Sequence, residues 1–198
     1  MGSDGFEISC WNGEFVRIAF AIDTHDREIM AWVATSGGGI SGEMIRDLML
    51  DCVERRFDAL RAPHPVQWLT NNSSAYTAAE TIDFATALNL AACFTPVRSP
   101  QSNGVCEAFV KTFKRDYARV NPRPDAISVL QRLDGWFKDY NTAHRHRDCV
   151  SNPRVSSSTS PSTKPPVRFD GGHSSWVIGG VHLSGRNRGR SSVARRRC

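Results

Sequence analysis

The sequence of 198 residues has no C-x-x-C pair: Cys10, Cys52, Cys93, Cys106, Cys149 and Cys198 stand singly. That spacing speaks against a disulfide scaffold or a zinc site and makes a reducing cytoplasm the expected location. No apolar run approaches the ~20 residues that span a bilayer, which argues against a membrane partner. Nor does a basic segment followed by an apolar stretch come after Met1, as a signal peptide would require. The first 147 residues also lack any surplus of positive charge, with sixteen Lys/Arg against eighteen Asp/Glu. The overall charge of +5 comes from residues 148–198, where nine Lys/Arg face two Asp/Glu. The basic pI therefore says nothing about what the folded part binds. One local exception stands out: from Arg98 to Arg123 six basic residues surround Glu107 and Asp116.

Patterns of apolar residues place the elements. Residues 5–11 and 15–22 read as strands about an Asn12-Gly13 turn, and a third strand is expected from about Glu28 to Ala34. Ser41 can cap a helix to about Phe57 that buries Met44, Ile45, Leu48, Met49, Cys52 and Val53. Val66 to Leu69 reads as a buried strand. Thr77-Ala-Ala-Glu80 reads as a capping box opening a helix with Ala78, Ile82, Ala85 and Leu88 at helical spacing. A strand at 91–95 and a loop at 96–103 lead into a helix from about Gly104 to Val120. A last helix begins at Asp125 and turns Val129, Leu130, Leu133, Trp136, Phe137 and Tyr140 inward. Three hairpin strands followed by alternating helices and strands predict an α/β fold, a mixed five-stranded sheet flanked by helices. Its expected extent is residues 1–147.

Residues 148–198 contain eleven Ser, six Gly and four Pro, with no sustained periodicity. Such a segment buries too little apolar surface to offset its ordering entropy and is expected to be a disordered tail. Its Arg195-Arg-Arg197 end would bind DNA only nonspecifically, with strong salt dependence. The histidines share no metal-ligand spacing with any cysteine. The tryptophans are expected in the core or on a sheet face, Trp176 excepted.

The chemistry concentrates on the 104–120 helix. At ~100° per residue Lys111 and Lys114 fall close to Glu107, while Cys106, Phe109, Val110, Phe113 and Tyr117 occupy the opposing flank. A carboxylate for a divalent cation beside ammonium groups for phosphates would suit phosphodiester chemistry. Taken alone, the same spacing more often describes a Glu–Lys pair on a solvated face.

The neighbouring words are more specific. Trp68-Leu-Thr-Asn-Asn-Ser73, Pro96-Val-Arg-Ser-Pro-Gln-Ser-Asn-Gly104 and Glu107 resemble the integrase core of bacterial insertion-sequence transposases, OrfB type, in the retroviral integrase superfamily. So do Ser3-Asp-Gly-Phe-Glu7, Ala19-Phe-Ala-Ile-Asp23, Phe109-Val-Lys-Thr-Phe-Lys-Arg-Asp-Tyr117 and Trp136-Phe-Lys-Asp-Tyr-Asn141. The resemblance runs from residue 3 to about 147 and implies a ribonuclease-H-like fold. It also implies an active site of three acids. Asp4 matches the first, Asn71 stands where the second is an Asp, and Glu107 matches the third, 36 positions after Asn71. Asp23 and Asp26 match a different family position and are expected to be structural.

By the same resemblance Lys111, Lys114 and the Gln101, Ser102 and Asn103 loop would face DNA. Asp4 and Glu107 would hold Mg²⁺ or Mn²⁺. The implied function is DNA integration or transposition by metal-dependent strand cutting and joining, with DNA as partner and self-association or an intact transposase copy as further partners. An amide at position 71 removes a charge and a ligand oxygen, so metal binding and strand transfer are expected to be impaired. The alternative is a non-catalytic DNA-binding or interaction protein, or an inactive pseudogene product, on the same fold. The start at three residues before Asp4, and the departure from the family after His144-Arg-His-Arg147, lead us to expect a truncated copy whose reading frame shifts near residue 147.

Overall fold

The computed structural model describes residues 1–95 and 104–144, and the backbone of two short strands at 175–178 and 181–184. Strands β1 (Gly2–Ser9) and β2 (Phe15–Ile22) pair antiparallel, with Asp4 opposite Phe20. Gly13, at φ 87°, takes the left-handed step of the connecting turn, a conformation that costs glycine little. β1 thus begins and ends earlier than the expected 5–11, and the turn is where the sequence put it.

Strand β3 (Ile29–Thr35) continues the antiparallel ladder. The turn before it is built around Asp23, whose carboxylate accepts the His25 N–H at 2.9 Å while its own N–H reaches the Glu28 carbonyl at 2.8 Å. Helix α1 (Gly42–Phe57) supplies Arg56, whose guanidinium lies 3.3 Å from Asp23 and 3.8 Å from Asp26. Both aspartates hold the β2–β3 corner, the structural role expected of them. On the other side of β1, β4 (Val66–Thr70) and β5 (Leu90–Phe94) run parallel to each other and to β1.

The sheet carries two more strands than the expected five. β6 (Ser175–Ile178) pairs antiparallel with the free edge of β3, and β7 (Val181–Ser184) pairs with β6, giving the order β5-β4-β1-β2-β3-β6-β7. The expectation of a tail without structure therefore fails at these eight residues. The edge of β3 offers unpaired backbone groups to any extended segment, and that local chance of pairing is invisible to composition.

Helices cover both faces. α1 and α3 (Ala79–Ala87) pack on one, where Ile45, Leu48, Cys52, Val53 and Trp68 are fully buried. Ser41 caps α1 by accepting the Met44 N–H at 3.2 Å, as its sequence position predicts. The other face is aromatic and lies under α4 (Gly104–Phe113) and α5 (Ala126–Ala143). Phe113 is fully buried and its ring meets Phe6, Tyr117, Trp136 and Phe137 with centroids 4.8–6.1 Å apart. Burial of one such ring stabilises the fold by roughly 1.5–3 kcal/mol. At the N-terminus of α5 Asp125 accepts the Ser128 N–H at 2.7 Å, and Glu14 reaches across from the hairpin to the Ala126 N–H at 2.8 Å. Further along α5, Asn141 pairs with both backbone groups of Ile29 at 2.8 and 2.9 Å.

Three expectations are corrected locally. The Thr77–Glu80 capping box does not form: Ser74–Thr77 coil into a separate turn, α2, and Ala78 is the break between α2 and α3. The cause is Tyr76, whose buried hydroxyl bonds Ser3 at 2.8 Å and pulls the segment onto the sheet. Thr77 then turns back to the Ser73 carbonyl, Glu80 goes to Arg46 at 3.4 Å, and Ala78 is exposed. The 104–120 helix changes pitch after Phe113, with a π-helical segment at Lys114–Ala118. Trp11, placed in the core or on a sheet face by its type, is 68% exposed at the hairpin tip; Trp32, Trp68 and Trp136 are buried.

Candidate active site

The site is assembled where β1 and β4 lie side by side. Their register pairs Gly2 with Leu69, so Asp4 on β1 and Asn71, one residue beyond β4, come next to each other. The contact is direct: the Asn71 Nδ2 donates to Asp4 Oδ1 at 2.7 Å. Asp4 Oδ1 also accepts the Gly5 N–H at 2.8 Å. The Asn71 Oδ1 in turn accepts the Ser73 N–H at 2.9 Å. A backbone N–H can only donate and a carboxylate can only accept, so this pair of contacts fixes which way the amide faces. Asn-x-Ser permits such an Asx turn, a signal present in the sequence.

The rim is tied down from below and from the side. Ser3, the buried neighbour of Asp4 on the opposite sheet face, donates to the Phe20 carbonyl at 2.9 Å and bonds Tyr76 of α2. Asn72 donates to the Thr95 carbonyl at 3.0 Å, and the Thr95 N–H reaches Thr70 at 2.9 Å. The loop carrying Asn71 is thus anchored to both β1 and β5.

Glu107 enters from above, in the first turn of α4. The preceding residue, Cys106, is buried and locates that turn, since a Cβ on Gly2 would come within 3.0 Å of its Sγ. Burial pushes the Cys106 thiol up to about 12, and the carboxylates of Asp4 and Glu107 add to that rise. The buried thiol thus stays protonated and lies near enough to both acids to feel their charges. Glu107 itself is exposed and, among the described residues, makes no ion pair with Lys111. The solvated Glu–Lys pair that the spacing allows is not formed.

Lys111 is exposed on α4, whereas the Lys114 Nζ lies 5.7 Å from the centroid of the Phe6 ring. Phe6 shares the face of β1 with Asp4, so the ammonium lies on the same side of the sheet as the carboxylates. Gln101, Ser102 and Asn103 lie outside the described residues. Among the described residues no group of three or more His, Cys, Asp or Glu could hold a metal ion. The donor set explains why position 71 does not help: the group that faces Asp4 is an N–H donor with no lone pair for a cation. As they stand, these residues do not fit a divalent cation between Asp4 and position 71.

Two family models, both described as integrase core domain, match residues 1–100 and 89–150. The chain belongs to the integrase core domain family. An insertion element IS136 uncharacterized protein of Agrobacterium fabrum is 60% identical over 144 residues, 73% of this chain and 74% of its own length. Transposase InsD of the IS2 elements of Escherichia coli is 49% identical over 144 residues, which span 48% of that protein. Among solved structures, the simian T-cell lymphotropic virus intasome superimposes with a TM-score of 0.55 at 17% identity, covering 85% of this chain and 60% of that one. The catalytic domain of the Mos1 mariner transposase gives 0.53 at 18% identity, covering 69% of each. The ribonuclease-H-like fold expected from the sequence is the fold of this integrase core, and its ancestry is that of insertion-sequence transposases.

Proposed function

We propose that this integrase core engages DNA and that its strand-cutting and joining activity is disabled at Asn71. Asp4, Asn71 and Glu107 stand at the three positions of the acidic triad that the family resemblance implies. Lys111 and Lys114 are the phosphate-facing cations. The observation that carries the reading is the 2.7 Å contact in which an amide, rather than a second carboxylate, meets Asp4. A cation held there by two carboxylates would supply Lewis-acid chemistry; this chain offers one carboxylate and an N–H donor. DNA is the expected partner, with self-association or an intact transposase copy as further ones. The core is taken as residues 1–147, with 148–198 as an appendage.

The test is a DNA nicking assay in Mg²⁺ or Mn²⁺. The wild-type chain is expected to be inactive, Asn71→Asp to gain cleavage, and Asn71→Asp combined with Glu107→Ala to lose it again. Cleavage by the wild-type chain that survives Glu107→Ala would overturn the site. Duplex binding in EDTA that is weakened several-fold by Lys111→Ala with Lys114→Ala, alongside an inert Asn71→Asp variant, would instead establish the non-catalytic DNA-binding reading.

A further inference from the structure

We infer that the Asn71 amide has taken over as the cross-link between β1 and β4, making this corner of the fold independent of divalent ions. Among the described residues the two strands pair over a short stretch, where the Met1 ammonium also donates to the Gln67 carbonyl at 3.0 Å. Their parallel register consists of Gly2 with Leu69, supported by the Leu69 N–H on the Met1 carbonyl at 3.0 Å. Two residues further on, the backbones no longer pair, and the bond from Asn71 to Asp4 is the contact that spans them. It is made by a group that cannot rotate away cheaply, because the Ser73 N–H holds the amide oxygen on the far side.

A carboxylate at position 71 would bring two like charges to that distance and force them apart unless a cation intervened. The amide removes the repulsion and supplies the donor, so Asp4 Oδ1 is satisfied from two directions, by Asn71 and by the Gly5 N–H. Loss of the metal ligand and gain of the strand-to-strand bond are one substitution. The inference concerns the fold and holds whether or not the chain binds or cuts DNA.

Thermal unfolding of the wild-type chain, Asn71→Asp and Asn71→Ala, each in EDTA and in excess Mg²⁺ or Mn²⁺, tests it without DNA. The wild-type Tm is expected to be the same in both conditions. Asn71→Asp should melt about 3–8 °C lower in EDTA and recover when metal is added. Asn71→Ala should melt lower in both, since it has neither the donor nor a ligand. A wild-type Tm that rises with Mg²⁺ as much as that of Asn71→Asp would overturn the inference, as would an Asn71→Asp protein as stable as wild type in EDTA. If Asn71→Asp does not fold in either condition, an Asn71→Ala Tm equal to wild type overturns it, and a lowered one sustains it.

Discussion

Two carboxylate corners of this molecule are built on opposite plans. At the β2–β3 corner Asp23 and Asp26 share the guanidinium of Arg56, so the charges are neutralised from within the chain. At the β1–β4 corner the contacts of Asp4 include two neutral donors, the Asn71 amide and the Gly5 backbone N–H. The first arrangement is complete without anything external. The second joins a carboxylate to an amide by a hydrogen bond, at the position where the family resemblance implies a second acid. Asp23 and Asp26 find their cation on a neighbouring helix, while Asp4 finds an amide donor just beyond a neighbouring strand.

The largest effect is expected from breaking the structural corner. Arg56→Ala should lower stability by about 2–3 kcal/mol, because it strips a charged partner from the nearly buried Asp23. Urea unfolding measures this, and added Mg²⁺ should restore none of it; recovery with metal would erase the distinction between the corners. A smaller loss, about 1 kcal/mol, is expected for Asp23→Asn, an acid-to-amide change at the structural corner. There the side-chain oxygen can still accept the His25 N–H, but the charge facing Arg56 is gone. An Asp23→Asn protein more stable than wild type would show that an amide serves a guanidinium as well as it serves Asp4.

Much of this could be read from the sequence because it depended on short-range patterns. The burial of Met44 to Val53, the Ser41 and Asp125 caps and the inward face of α5 follow from helical spacing, and all are present. The three candidate site positions rest on motif resemblance, and the fold puts two of them, Asp4 and Asn71, in direct contact. What was not legible depended on tertiary partners. The capping box at Thr77 lost to Tyr76, whose hydroxyl had a buried partner 73 residues earlier in the chain. Lys114 is expected from the resemblance to face DNA, and the place of its ammonium over Phe6 depends on how this helical segment lies across β1. Strands β6 and β7 depend on an open edge of β3, which no local pattern in a Ser-rich tail announces. At Asn71 the amide was plain from the sequence, but only the fold showed that it donates to Asp4.

A third way of satisfying carboxylates, by backbone N–H groups, sharpens the comparison and gives the smallest effect. At the start of α5 the Ala126 N–H, bonded to Glu14, holds that carboxyl below its ordinary value of 4.5; the Ser128 N–H does the same for Asp125 below 3.8. Both groups are easier to ionise folded than unfolded, so the unfolded chain binds more protons as pH falls. Their contribution is therefore present above about pH 4.5 and is lost as pH drops through the lowered folded values. Glu14→Gln and Asp125→Asn keep an acceptor oxygen but cannot titrate. Each should be slightly less stable than wild type at pH 7, and the gap should close as the pH approaches 3, measured by urea midpoints across that range. A gap that stays constant with pH would mean that geometry, not charge, is what these two side chains supply.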